Sequence, residues 1–391
     1  MQDTRRELLN DIQAWIHSAD DGGAAEILCL CDVAGAGKTA IAHTVARDCF
    51  HQGILASSFF FDRNIPDRRN PLKLFSTITR DLVRLSKGLA GHVIEILDDD
   101  HSVASASQSR QFEELILKPA SRHRIRQPAV IVIDGMDEGC DRVTLSILRN
   151  HVPRLPGTFR ILITSRPTDD LRTDLLNVDH VQCRSLDIHG NTNQRDIALD
   201  IRDRLQYIAS RRNLPVSWPG EQRMHDLTQQ AEGLFVWVST IVEYLLTATY
   251  PDRKLSALLY ERNMQHIPAE TKMDALYAEV LDACSWDDHD FVHDYELVIG
   301  AILAVKTPLS TRALQSLYRE HPILDIQEVL RPLSSVLTGV FNPSHPIQII
   351  HLSFRDFLTH RAQFSPGPCA FSNQRKAAQP DTCIFMPPCH E

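Results

Sequence analysis

The chain has 391 residues, 43% of them hydrophobic and 23% charged. That length implies two or three domains with a core large enough to fold without staples, and 16 glycines and 21 prolines exclude a collagenous or low-complexity chain. Lys and Arg total 41 against 50 Asp and Glu, a formal charge of −9 that argues against a uniformly basic nucleic-acid binder.

Residues 1–16 (MQDTRRELLNDIQAWI) carry the charged, amphipathic pattern of a helix, not the apolar core of a signal peptide. Residues 26–31 (EILCLC) read as a strand, followed by a glycine-containing turn and a helix over 39–50. Nine cysteines, an odd number without a dense framework, point to reduced thiols in a reducing, cytoplasmic compartment. Cys29 and Cys31 alternate with Leu28 and Leu30 and read as small core residues on one strand face. A second strand is expected at 55–61. Leu72, Phe75, Ile78, Leu82 and Leu85 then mark one face of a helix over 71–85. The polar stretch 98–109 reads as a loop and 111–117 as a helix. Pro128 introduces AVIVID, a β-branched run suited to a strand buried on both faces. A helix over 143–151, the strand FRILITSRP and a last strand at 180–186 complete the series. Five strands alternating with helices predict an α/β fold with a parallel five-stranded sheet.

Near residue 187 the pattern turns helical, at 192–210, 221–232, 234–248, 270–284, 291–304, 310–319 and 325–331. The apolar run 233–246 is shorter than the ~20 residues needed to span a bilayer and contains Glu243, so a buried core helix is expected. SVLTGVF and IQIIHLSF, separated by a turn at 342–346, read as a hairpin closing a winged-helix module. The expected modules are therefore 1–186, a helical domain at 187–268, a winged-helix domain at 269–362, and an irregular, disordered tail at 363–391.

The strongest chemical signal is Gly35-Ala36-Gly37-Lys38-Thr39, between a strand and a helix. It matches the end of the phosphate-loop pattern G-x-x-x-x-G-K-[ST]. Glycines let backbone N–H groups wrap phosphates, and the helix N-terminus adds its positive end. In that reading Gly35, Ala36, Gly37, Lys38, Thr39 and Ala40 line a nucleotide, Lys38 reaching the β- and γ-phosphates and Thr39 completing a Mg²⁺ shell. The first glycine position holds Asp32 instead. A carboxylate about 5 Å from a phosphate costs roughly 3 kcal/mol at an effective dielectric of 20, unless it points away.

Val130-Ile131-Val132-Ile133-Asp134 is an apolar strand ending in an acid placed to hold Mg²⁺, and Asp137 and Glu138 follow where a carboxylate can orient or deprotonate water. Thr164-Ser165-Arg166 ends another strand, where Arg166 can sense a γ-phosphate.

Together these segments resemble NACHT-type NTPases of the STAND class, in particular the fungal group with nephrocystin-3-like N-terminal domains. TRRELLNDIQAWI, AGAGKTAIAHTVA, SSFFFDR, QFEELILKPA, VIVIDGMDE, FRILITSRP, AEGLFVWVST and HLSFRDFL carry the resemblance, in the family's order. It implies an NTP-binding switch, closed with diphosphate and self-associating through its NTPase core with triphosphate, ATP or GTP with Mg²⁺. It also implies that His351, on the second arm of the hairpin, reaches the β-phosphate of bound diphosphate. Gly233-Leu234-Phe235 falls where related switches carry Gly-Leu-Pro near the base; Phe235 suits either a base contact or core packing. Family members usually carry an effector domain before this core and repeats after it.

Arg122-His123-Arg124-Ile125-Arg126 lacks interleaved aromatics and reads as a solvated face, and residues 286–290 (WDDHD) as a helix-start loop and not a metal site. Neither nucleic acid nor membrane is an expected partner. The alternative to a slowly hydrolysing switch is a non-hydrolysing interaction scaffold on a degenerate NTPase fold, which Asp32 favours.

Overall fold

The computed structural model describes residues 5–19, 26–63, 65–123, 125–260, 269–282, 284–319 and 325–361. The expectations for the tail at 363–391, and for Arg124 in the basic pentad, lie outside them. The chain divides into two compact units, Met1–Ser239 with Lys306–Pro308, and Thr240–Val305 with Leu309–Glu391.

The first unit is built on a sheet of β1 (Glu26–Cys31), β2 (Leu55–Phe60), β3 (Ala129–Asp134), β4 (Phe159–Ser165) and β5 (Val181–Arg184), in the order β2-β3-β4-β1-β5. Every pairing is parallel. Every residue of β3 and β4 is buried, which explains their unbroken apolar runs: helices cover both faces of a parallel sheet. Edge strand β5 buries only Val181. Helix α1 (Arg6–His17) buries Ile12, Trp15 and Ile16, and the Trp15 indole N–H donates to Glu26 Oε2 at 3.0 Å. Helix α2 (Lys38–His51) buries Ile41, Ala42, Val45, Ala46 and Cys49.

Parallel pairing brings the carboxyl ends of β1, β3 and β4 to one edge of the sheet. Cys31 pairs with Ser165 and Ile133 with Ile163, so Asp134 and Thr164 fall side by side. The core beneath contains Phe75, Ile78, Leu82, Phe112, Ile131, Ile133 and Phe159.

Two local expectations are corrected. The stretch 98–109 is not a loop: a helix runs Lys87–Asp99, a 3₁₀ turn covers His101–Ser105, and a helix starts at Gln108. Asp100 organises this by accepting from the backbone N–H and hydroxyl of Ser102 at 2.9 and 2.6 Å, and Val103 is 2% exposed. On the helix Leu72–Leu85, Leu72 is exposed and Leu74 takes the buried position.

The second unit holds the helices Pro251–Tyr260, Ala269–Asp282, His289–Ala304, Thr311–Leu317, Ile326–Leu330 and Leu352–Asp356. A short antiparallel ladder joins β6 (Leu337–Thr338) to β7 (Gln348–Ile349). Buried Tyr277 packs between Phe354 and Phe357, ring centroids 5.0 and 5.6 Å away. The ladder is shorter than the expected hairpin because its second arm stops at Ile349. His351 is therefore not on a strand. It caps the helix Leu352–Asp356 by accepting from Ser353 N. Among the described residues, no helix is long and apolar enough to cross a membrane.

Candidate functional site

The site grows from the connection between β1 and α2. Gly35 and Gly37 have φ of +82° and +93°, a region that L side chains rarely adopt. A Cβ on Gly35 would also run into the side chain of Val236. Gly37 is the N-cap of α2 and offers no side-chain cap. The first-turn N–H groups, from Lys38 to Ala40, have no partner within the helix and give this end positive character. An uncapped helix end behind two left-handed glycines is a cradle that fits an anion. Lys38 Nζ donates to the carbonyls of Asp32 and Val33 at 2.7 and 2.8 Å. Burial lowers its pKa, against the opposing charges of Asp137 and Asp32.

Asp32 points its carboxylate away from this cradle. Oδ1 accepts from Val33 N at 2.7 Å, while Oδ2 accepts from the Ser185 hydroxyl at 2.8 Å and Leu186 N at 2.9 Å. The acid in the first glycine position therefore fastens the exit of β5 to the start of the loop.

At the end of β3, Asp134 is 3% exposed. Burial raises its pKa, and hydrogen bonds from the Thr164 and Thr39 hydroxyls hold the raise in check, as do the charges of His43 and Lys38. Thr164 Oγ1 donates to Asp134 Oδ1 at 2.5 Å and accepts from Gly135 N at 3.0 Å, joining β4 to the turn after β3. Gly135, at φ +71°, lets the chain turn there. Thr39 and Asp134 thus meet as a hydroxyl and a carboxylate, a hard-oxygen pair of the kind that Mg²⁺ takes.

Asp137 is 6% exposed at its side chain. Its Oδ1 accepts from Arg166 N at 3.0 Å, and its Oδ2 lies 3.3 Å from Arg166 Nε. Arg63, from the segment after β2, donates from Nη2 to the Asp137 carbonyl at 2.8 Å, and its backbone N–H donates to Glu138 Oε2 at 3.4 Å. Glu138 is pushed up to about 7, first by burial and then by the neighbouring Asp137 charge. The structure thus brings Lys38, Thr39, Asp134, Asp137, Glu138 and Arg166 to one edge. Arg63 and Thr164 join them in positions that depend on topology and not on local sequence.

Beside α2 lies a small, half-open cleft lined by Arg5, Leu9, Gly37, Ala40, Ile41, Thr44 and Phe235. Arg5 is its wall. Its backbone sits at φ 60°, its N–H donates to Asp196 Oδ2 at 2.7 Å, and its guanidinium donates to Leu186 O at 2.8 Å and Ala36 O at 3.2 Å. The same guanidinium stacks over the Phe235 ring, 5.6 Å from the centroid. Gly233 is enforced here: at φ +83° it packs against the Ile188 carbonyl and Asn193, leaving no room for a Cβ. The sequence singled out Phe235 but not Arg5, whose partners lie as far as 191 positions away.

Residues 3–166, about two-fifths of the chain, match the family model described as Nephrocystin 3, N-terminal. That stretch covers β1, the glycine loop, β3 with its terminal acid, and β4, and so contains Lys38, Thr39, Asp134, Asp137, Glu138 and Arg166. The first unit is an α/β fold, a parallel five-stranded sheet with helices and a glycine loop between β1 and α2. Among solved structures, the chain is similar to Drosophila ORC bound to DNA, at 12% identity with 89% of this chain and 92% of that one covered and a TM-score of 0.39. It is also similar to Cdc6p from Pyrobaculum aerophilum, at 15% identity, 86% and 87% coverage and a TM-score of 0.40. A mutant RuvB of Thermotoga maritima overlaps at 10% identity, 91% and 94% coverage and a TM-score of 0.29. None of the curated proteins matches the chain.

His351 belongs to the second unit and the glycine loop to the first. Its Nδ1 accepts from Ser353 N at 3.2 Å, which places the ring proton of the neutral form on Nε2. The Ser353 hydroxyl lies 2.6 Å from that Nδ1 and 2.6 Å from the Tyr277 hydroxyl.

Proposed function

We propose that this protein is a nucleoside-triphosphate-binding switch of the NACHT and STAND type, which hydrolyses its nucleotide slowly and self-associates in the triphosphate state. The observation that carries the reading is the convergence of the Thr39 and Thr164 hydroxyls on the buried Asp134, beside the uncapped helix end that bears Lys38. Gly35 to Ala40 would bind the phosphates, and Thr39 and Asp134 would hold Mg²⁺, which supplies charge neutralisation at the transferring phosphoryl group. Lys38 already sits among backbone carbonyls that it can leave for a stronger anionic partner.

The two acids divide the work. Asp137 is engaged by Arg166 and positions that guanidinium at the phosphate edge. Glu138, held at about 7, is half ionised near neutral pH and suits a general base that takes a proton from water. The base would lie against Arg5, Phe235 and Thr44 at the mouth of the cleft beside α2, with ATP the expected nucleotide and GTP the alternative. By the family resemblance, His351 would report the diphosphate state. Asp32 lends no support to the non-hydrolysing scaffold, because its carboxylate is spent on Ser185 and Leu186.

The test is titration of fluorescent ATP and GTP, with Mg²⁺, into the wild type and Lys38→Ala. The wild type is expected to bind one of them at least about tenfold more tightly than Lys38→Ala, a difference of about 1.4 kcal/mol. A wild type that binds neither refutes the switch. Sedimentation of His351→Ala is expected to show a larger basal oligomeric fraction, and an unchanged profile removes His351 from the mechanism.

A further inference from the structure

One cluster of nucleophilic side chains stands outside the nucleotide site. Residues two apart on a strand share a face, so β1 places Cys29 and Cys31 together. β5 pairs with β1 in parallel, Cys29 opposite Cys183, which sets a third thiol on that face. All three are free thiols, and they differ in access: Cys29 is fully buried, Cys31 is half-buried, and Cys183 is exposed on the edge strand.

We propose that Cys183 is a modification site for hydrogen peroxide, and that its oxidised form is resolved by Cys29 into a disulfide joining β1 to β5. Three observations place the chemistry. First, directly paired residues on neighbouring strands lie about 4.8 Å apart, inside the Cα separation that a disulfide accepts, whereas Cys31 is a further pleat along. Second, the neighbouring thiols of Cys29 and Cys31 lower the Cys183 pKa, while contact with Cys183 and the core environment raise that of Cys29. Third, Cys183 is exposed and Cys29 is buried, so peroxide reaches Cys183 first and Cys29 is kept as its partner.

The steps balance. The Cys183 thiolate attacks one oxygen of hydrogen peroxide; the S–O bond forms, the O–O bond breaks, and hydroxide leaves to take up the proton lost by the thiol. The Cys29 sulfur then attacks Cys183; the S–S bond forms, the S–O bond breaks, and hydroxide leaves with the proton of the Cys29 thiol as water. Two thiols and one peroxide give one disulfide and two waters, peroxide being reduced. The linked strands meet at the root of the glycine loop, where Asp32 already ties itself to Ser185 and Leu186. The reaction requires no nucleotide and stands or falls apart from the switch.

The experiment treats the full chain with substoichiometric hydrogen peroxide at neutral pH, traps sulfenic acid with dimedone, and maps peptides by mass spectrometry. The expected result is oxidation at Cys183 at least about tenfold faster than at Cys49 or Cys140, ending in a Cys29–Cys183 link. Cys29→Ala is expected to leave a dimedone-trapped Cys183, and Cys183→Ser to abolish the link. Should Cys29→Ala fold poorly, the wild-type peptide map alone decides. Overturning results are first oxidation elsewhere, or a Cys183 linked only to Cys31 or to Cys369, Cys383 or Cys389.

Discussion

Glu138→Gln is the substitution that the site predicts most sharply. In the folded protein this carboxyl is moved from 4.5 to about 7 by burial and by Asp137, against a long bond from Arg63 N and the charge of that residue. At about 1.4 kcal/mol per pH unit, that displacement corresponds to about 3 kcal/mol. Because the folded-state value lies above the ordinary one, the stability contributed by the neutral carboxyl is complete below pH 4.5 and is lost as pH rises through 7. Glutamine keeps the shape and carries no charge, so it removes the loss. Thermal unfolding should therefore show wild type and variant matched near pH 4.5, with the variant about 6–12 °C more stable at pH 8, at about 2–4 °C per kcal/mol for a unit of this size. The same variant should retain Mg-nucleotide binding and lose turnover. A difference in melting temperature that stays constant between about pH 5 and pH 8 would refute both the buried environment of Glu138 and its assignment as the base.

Thr164→Val keeps the shape of the side chain but deprives buried Asp134 of a donor and Gly135 N of an acceptor; a loss of about 1–3 kcal/mol in chemical denaturation is expected, with weaker Mg-nucleotide binding by titration. Unchanged stability would show that Thr164 bridges nothing. Gly35→Ala should destabilise by about 1–2 kcal/mol for its left-handed backbone, plus the crowding against Val236; Val236→Ala added to it should recover the crowding part alone. Full recovery in the double variant would contradict the backbone argument. Asp32→Gly should cost about 1–3 kcal/mol of stability through the released Ser185 and Leu186, and should leave nucleotide affinity within about threefold of wild type. A tenfold gain in affinity would mean that the carboxylate opposes the phosphates after all.

The sheet was legible because strands covered on both faces must be apolar throughout, and AVIVID and FRILITS have no other comfortable home. The glycine loop was legible for a similar reason, since Gly35 and Gly37 occupy backbone conformations that few residues tolerate. What escaped was set by partners distant in sequence. The orientation of Asp32 depends on Ser185 and Leu186, more than 150 positions on, and Arg5 owes its place to Asp196, Leu186 and Ala36. Local capping also misled: IQIIHLSF alternates like a strand, yet His351 accepts from Ser353 N and starts a helix there. Likewise, the polar run after Asp98 looked like a loop because Asp100 and Ser102, which stop one helix and start a 3₁₀ turn, are the same residue types that make loops.

Strand order also explains why Thr164 sits where it does. In a parallel sheet, β1 and β3 deliver Lys38 and Asp134 to the same edge, but β4 lies between them, with Ile161 and Ile163 paired to both neighbours. The residue at the end of β4 must therefore lie against a buried carboxylate. An apolar side chain would leave Asp134 short of a donor, and a longer cation at that position would compete with Lys38 for the same acid. A short hydroxyl avoids both: Thr164 donates to Asp134, accepts from Gly135 N, and adds no charge between Lys38 and the acid. The next cation along the chain, Arg166, lies one residue past the end of β4 and is held by Asp137 instead. Removing the hydroxyl of Thr164 would leave Asp134 without it, because the neighbouring hydroxyl of Ser165 donates instead to the Arg166 carbonyl at 2.8 Å.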